Sequence, residues 1–217
     1  MVTVWCVLNG TKYTDDDVYL LRDQVDRRLS AEHEFWCFSD RSIWGIDCVI
    51  PADMWPGWWA KLQLFGWSRS GLNLYLDLDS VIVGSLDDLL SEQLSAPINW
   101  AQSGHGGLQS CAMAWGGDYG WIADGFDVSK LTHDPHHPFG RYGDSDYWGD
   151  QGYLTALLGD PGAGKVKPMP GVASYKYHCR DGLPDWARVV QFHGDPKPSQ
   201  VQDEWVKASR SSTAILR

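Results

Sequence analysis

The sequence is short of positive charge. Eighteen lysines and arginines stand against 28 aspartates and glutamates, for a net charge of −10. A protein that grips nucleic acid by its phosphates carries a basic surplus. Neither the total nor any Lys/Arg run supplies one, so stable nucleic-acid binding is not expected; a local basic pocket for a small anion stays open. Long apolar runs are missing too. None approaches the roughly 18 residues of a membrane span, and "MVTVWCVLNG" at the start shows neither a basic leader nor a cleavage pattern. The five cysteines, Cys6, Cys37, Cys48, Cys111 and Cys179, are odd in number and contain no CxxC. That argues against a disulfide framework and for reduced core thiols in a cytoplasmic protein. Low-complexity tracts, internal repeats and linker-like boundaries are lacking as well. The 217 residues are therefore expected to form a single domain, 1–217, burying roughly 70% of its unfolded surface.

What is present is a globular, tryptophan-rich composition. Thirteen tryptophans are more than a core of this size calls for, and flat rings suit sugars or bases. "VTVWCVL" reads as a strand. "TDDD" fits a helix N-cap followed by acids, and Val18, Leu21, Val25 and Leu29 then recur at helical spacing. "EFWCFSD" and "IDCVIP" read as strands, and "GWWAKLQLFGW" as an amphipathic helix. "LNLYLDLD" and "VIVG" are strand, and Ser85 with Asp88 is expected to cap a short helix. Strands are expected at "APINWAQ" and "LQSCAMAWGG", and a helix at "DYGWIADGF". "THDPHHPFGRYGDSD" reads as a long polar loop and "YWGDQGYLTALLG" as a helix. Strands follow near "KVKPM", "ASYKYH" and "ARVVQFHG", then a closing helix at "DEWVKAS". Strands alternating with helices in the first half predict an α/β fold with a mostly parallel sheet.

The chemistry concentrates in "LNLYLDLDSVIV". Alternation along a strand puts Asp77 and Asp79 on one face and Leu72, Leu74, Leu76 and Leu78 on the other. Two carboxylates at the end of an apolar strand repel each other and lose hydration, which costs several kcal/mol unless something positive compensates. Mg²⁺ or Mn²⁺, held by one or two carboxylates and completed by substrate phosphates, would do so. Ligands of open α/β sheets also bind at the carboxyl ends of strands. A strand end with two solvated acids is the plainer alternative.

Two known patterns fit this stretch. One is the metal-binding D-x-D of nucleotide-sugar glycosyltransferases with the GT-A fold. The other is the first motif of haloacid-dehalogenase-type phosphatases, which normally lies on the first strand of its domain. Here a complete βαββα segment precedes it, which favours the first. "VVQFHGDPKPSQ" then resembles the His…Gly…Lys-Pro element that closes retaining glycosyltransferases of family eight, the glycogenin-like enzymes. The family's histidine stands three residues before the glycine. Here Gln191 holds that place and His193 immediately precedes Gly194. The resemblance implies Asp77, Asp79 and His193 as metal ligands, with Gly194 and Lys197 at the donor diphosphate. It extends to Lys61 in "WWAKLQLF" facing the diphosphate, and to Asp150 and Gln151 in "WGDQGYLTALL" meeting the transferred sugar as the catalytic pair. "LNGTKY" looks like the nucleoside-binding turn, with Tyr13 stacking on the base and Asn9 as a polar contact. "LQSCAMAW" resembles the strand lining the sugar pocket, hence Gln109 and Ser110. "SYK" (174–176) belongs to the pattern of small phage and bacterial relatives, with Lys176 at phosphate or acceptor.

The resemblance therefore implies a single GT-A-like, Rossmann-like α/β domain. It would transfer a sugar from a nucleoside diphosphate, a UDP-sugar by family, to an acceptor that the sequence does not reveal. Mn²⁺ or Mg²⁺ would assist, and anomeric configuration would be retained. A dehalogenase-type phosphatase and an inactive sugar-nucleotide-binding protein are the alternatives. Two further stretches imitate sites. "GDPGAGKV" mimics a phosphate loop, but Val166 replaces its hydroxyl residue and a helix, not a strand, precedes it. His133, His136 and His137 crowd together as zinc ligands would. Pro135 and Pro138 between and after them favour a polar surface loop, or one that shapes the acceptor site.

Overall fold

A computed structural model describes residues 1–100, 107–134, 137–143 and 149–211. The chain begins with β1 (Val2–Leu8), α1 (Asp15–Arg28), β2 (His33–Ser39) and β3 (Asp47–Val49). A short α2 (Ala60–Leu64), flanked by 3₁₀ turns Gly57–Trp59 and Phe65–Trp67, leads to β4 (Leu72–Leu76) and β5 (Ser80–Ile82). Next come β6 (Ser95–Ala96), β7 (Ala112–Gly116), α3 (Trp121–Asp124), β8 (Leu131–Asp134), β9 (His137–Tyr142) and α4 (Gly149–Leu158). The last elements are β10 (Lys167–Pro168), β11 (Val172–Ser174), α5 (Tyr175–His178), β12 (Val189–Gln191) and α6 (Glu204–Arg210).

The main sheet has seven strands in the order β10-β6-β7-β4-β1-β2-β3. Strands β3, β2, β1 and β4 are parallel; β7 runs antiparallel to β4 and β6. This is the expected mostly parallel α/β sheet, and the βαββα order before Asp77 is also as expected. Period-two alternation splits each strand between two cores. Val2, Val4, Cys6, Leu8, Leu74 and Leu76 pack with Val18, Leu21 and Val25 of α1 on one face. Trp5, Tyr75, Met113 and Trp115 pack with Leu62 and Leu64 of α2 on the other. A parallel sheet needs both faces covered in this way. Thr14 caps α1 as expected, its N–H donating to the Asp17 carboxylate at 2.9 Å.

Four local expectations fail for identifiable reasons. Asp77 and Asp79 are not two positions of one strand. Strand β4 ends at Leu76, and 77–79 turn the chain into β5, which belongs to a second sheet, β11-β12-β5. The Ser80 N–H closes that turn on the Asp77 carbonyl at 3.1 Å. The short helix after Ser85 is only a 3₁₀ turn, and Ser85 Oγ donates to Asp87, not Asp88. The polar stretch after Lys130 is a β8-β9 hairpin, because two of its residues are core anchors. Phe139 meets Trp58 edge-on at 4.8 Å, and Tyr142 stacks on Phe126 at 4.6 Å. His133 sits on that hairpin; His136 lies outside the described residues. Finally, "YKYH" is helical. Ser174 ends β11 and accepts from the Tyr177 N–H, so capping chemistry overrides the strand pattern.

Candidate active site

A cleft of about 280 Å³ opens where β1 and β4 end. It is lined by Asn9, Tyr13, Lys61, Asp77, Asp79, Gln109, Ser110, Asp150, Gln151, His193 and Gly194, so eleven of the twelve residues expected from sequence meet here. The twelfth, Lys197, reaches in by ion pairing with Asp79 at 2.8 Å.

Two charge clusters make the walls. Asp79 is almost fully buried and accepts from the Tyr13 hydroxyl at 2.5 Å, from the Lys197 ammonium and from the Gln191 side-chain amide. Burial and this carboxylate push the Tyr13 pKa far up, so its phenol stays a donor. Asp77 accepts from the Tyr75 hydroxyl at 2.5 Å and pairs with Lys61 at 3.0 Å. Lys61 also faces Asp150 at 3.3 Å and Ser110 Oγ at 3.3 Å. Burial works against the charge on Lys61, but Asp150 and Asp77 outweigh it and raise its pKa. Burial, with Asp79 close by, raises the Asp77 pKa against the pull of Lys61 and Tyr75.

The other expected residues are held by the fold. Asn9 spends its amide on the Trp55 carbonyl at 2.7 Å, which fixes the turn after β1. Gln109 donates to Asn99 Oδ1 at 2.7 Å. Asp150 and Gln151 open α4, whose first residue, Gly149, has φ +67°; a Cβ there would sit 2.9 Å from the Trp58 indole nitrogen. At Gly194, φ +72°, a Cβ would stand 3.1 Å from the Lys176 ammonium, so the glycine lets that lysine approach. The His193 Nε2 bonds Ser174 Oγ at 2.7 Å, and its ring stacks on Tyr177. Burial, aided by Lys176, lowers the His193 pKa and keeps the imidazole neutral.

The structure adds residues that the sequence reading left out of the site. Tyr75 lines the cleft beside Asp77, and its position two residues before that aspartate was the available signal. Lys12 adjoins Tyr13 in "NGTKY", and Trp58 precedes Lys61 in "GWWAKL". Gln191 stands on Asp79, at the place where the resemblance has a histidine.

The donor set can be tested against a divalent cation. Among the described residues, no group of three His, Cys, Asp or Glu is spaced to hold a metal. Yet three carboxylates, Asp77, Asp79 and Asp150, face two directly paired ammonium groups, Lys61 and Lys197. One Asp150 oxygen is buried with no hydrogen bond and faces the Lys61 ammonium at 3.3 Å. Carboxylate oxygens suit a hard cation that takes its remaining ligands from substrate, and Lys12, Lys61 and Lys197 balance their charge here. By donor chemistry alone, the oxygens of Asp77 and Asp79 suit the group. The phosphatase alternative needed acids from "GDSDYWGD". Asp150 arrives, but paired with Lys61; Asp144 and Asp146 lie outside the described residues.

The sequence matches no protein-family model and no curated protein. Its fold matches solved glycosyltransferases. A galactosyltransferase LgtC, solved in complex with donor and acceptor sugar analogs, superposes with a TM-score of 0.58 at 16% identity, over 89% of this chain and 88% of that one. An active-site mutant of LgtC matches as well, with a TM-score of 0.58 at 14% identity over 89% of each chain. The glycosyltransferase GlyE of Streptococcus pneumoniae TIGR4 gives 0.60 at 16% identity, covering 90% of this chain but 56% of its own. At such identities the likeness is one of architecture, and by that architecture this α/β chain has the GT-A-type fold of solved glycosyltransferases.

Proposed function

We propose that this protein transfers a sugar from a nucleoside-diphosphate donor, a UDP-sugar, to an acceptor hydroxyl with retention of configuration. The observation that carries the reading is the meeting of Lys61, Lys197, Asp77, Asp79 and Asp150 in one cleft at the strand ends of a glycosyltransferase-type sheet. Phosphate oxygens would exchange for the carboxylates now facing the two ammonium groups. Lys61 and Lys197 then stabilise the diphosphate as it leaves. Asp77, Asp79 and His193 would hold Mn²⁺ or Mg²⁺. With Nε2 engaged by Ser174, His193 offers its other ring nitrogen, a division of labour usual for metal-bound imidazoles. The ion would supply further charge stabilisation at the diphosphate. Tyr13 and Asn9 border the nucleoside end; Gln109, Ser110, Asp150 and Gln151 border the sugar.

The transition state at the anomeric carbon is oxocarbenium-like. Asp150 is tied to Lys61 and Gln151 is a weak nucleophile, which supports return of the acceptor to the same face. The leaving phosphate then takes the acceptor's proton.

The test is donor release. Purified protein is incubated with a panel of nucleotide sugars, with Mn²⁺ or with EDTA, beside Asp79→Asn. Free nucleotide from one donor, lost with EDTA and in the variant, is expected. Phosphate release from a simple phosphate ester without any nucleotide release would overturn the reading in favour of the phosphatase.

A further inference from the structure

A second and larger cavity, about 900 Å³, lies beside the cleft. Its walls are apolar and aromatic, chiefly Ile98, Trp100, Met169, Val172, His178 and Trp186. Ile98 is 56% exposed and Trp186 49% exposed, and the two lie together in one concave apolar lining. His178 stands edge-on to both indoles, with ring centroids 6.0 Å from Trp100 and 5.5 Å from Trp186. A concave, ring-lined cavity of this size with a few polar groups is the usual form of a small-molecule site.

Two thin walls divide this pocket from the cleft. Asn99 lines the pocket and Gln109 lines the cleft, and the two side chains are bonded to each other. Ser174 makes the other wall. Its N–H donates to His178 Nδ1 at 2.9 Å on the pocket side, and its hydroxyl holds His193 on the cleft side. The pocket and the cleft are thus linked through the Asn99–Gln109 pair and through the His178–Ser174–His193 chain.

The polar groups indicate what the molecule is. Among the described residues no lysine lines the pocket, and its arginine, Arg188, is already paired with Asp88 at 2.8 Å. His178 accepts a backbone N–H and is therefore neutral on that nitrogen. Nothing here compensates a phosphate, which disfavours a phosphorylated lipid carrier. Flat indole faces with an amide at the rim suit the C–H face and hydroxyls of a sugar ring.

We propose that this pocket is the acceptor subsite, and that it holds the non-reacting ring of a neutral saccharide against Trp186 and Trp100. This rests on the sugar-transfer reading of the adjoining cleft. In the transfer, the acceptor hydroxyl oxygen bonds to the anomeric carbon as the bond from that carbon to the diphosphate oxygen breaks. The acceptor's proton passes to the diphosphate.

The experiment uses the full chain, the donor found by nucleotide release, and a panel of neutral mono- and disaccharides with their p-nitrophenyl glycosides. Saturation-transfer NMR on the protein alone reads binding; saccharide-stimulated nucleotide release reads transfer. One or more neutral saccharides are expected to bind and to stimulate release. Trp186→Ala should raise that saccharide's KM about tenfold, the scale of one lost aromatic contact, with no matching rise in the donor's KM. Trp44→Ala, which removes an 89% exposed indole outside both cavities, should change neither. Three results would overturn the pocket assignment: no saccharide binding by NMR, an unchanged saccharide KM in Trp186→Ala, or stimulation only by a phosphorylated lipid or a protein. Failure of the transfer reading looks different, because no donor then yields nucleotide even when saccharides bind.

Discussion

The cleft beside Asp77 and Asp79 encloses about 280 Å³ and is walled by ion pairs; the pocket beside Trp186 encloses about 900 Å³ and is walled by rings and prolines. They touch through Ser174 and through the Asn99–Gln109 bond. In the first, Lys61, Lys197, Asp77, Asp79 and Asp150 each lean on an opposite charge, so that removing one strands its partners in a buried setting. In the second, Ile98 and Trp186 stay exposed, while Met169 and Val172 belong to the core. A substitution in the cleft should therefore disturb both chemistry and stability, and one at Ile98 or Trp186 should disturb recognition alone.

The sharpest way to break that contrast is at the D-x-D turn. Asp79→Asn should lower the proposed donor turnover by about 10³-fold, because it removes a negative charge from the proposed metal site and frees Lys197 and Tyr13 from their anchor. Steady-state nucleotide release measures it; a variant within a few-fold of the parent would take Asp79 out of the mechanism. Next comes Lys61→Met. It should cost about 100-fold in turnover and, by stranding Asp77 and Asp150, about 3–5 kcal/mol of stability in urea unfolding. Lost activity at parental stability would mean that the two carboxylates are not held by this lysine.

Smaller effects probe the shared walls. Ser174→Ala releases His193 on one side and uncaps α5, which carries His178, on the other. About 1 kcal/mol of stability should go with the cap, and KM for donor and acceptor should both rise a few-fold. A change confined to one substrate would show that the wall is not shared. Smallest is a pH effect. Burial lowers the His178 pKa from its ordinary 6.5. The unfolded chain then takes up the proton first, so this contribution to stability is present above pH 6.5 and lost as pH falls below it. Thermal unfolding between pH 7.5 and 5.5 should show a decline that His178→Gln flattens.

The first half of the chain was legible because its signals are local. The capped run from Thr14, the spacing of Val18, Leu21 and Val25, and the apolar strands around Trp5 and Leu74 each state their own structure, and packing agrees with them. The order of chemical residues was also readable: Lys61, the Asp77–Asp79 pair, Asp150–Gln151 and Lys197 are brought to one place. The second half was less legible because its elements are short and depend on distant partners. The hairpin at 131–142 exists because Phe139 and Tyr142 find Trp58 and Phe126. "YKYH" turns helical because Ser174 ends a strand.

Local pattern was enough to specify which residue types face inward, where the early strands and α1 lie, and that Asp77 and Asp79 need a positive partner. Which partner each one has was decided by the fold. Chain turning at 77–79 sends one carboxylate to Lys61 and the other to Lys197, some 120 residues on in sequence, and leaves Gln191 on Asp79 with His193 on Ser174. The pocket walled by Trp100 and Trp186 exists only in three dimensions, because its sides come from five separate stretches of chain. Alternation and capping act over a few residues and can be read along the chain. Charge pairing and cavity shape depend on distances through space, which packing alone sets.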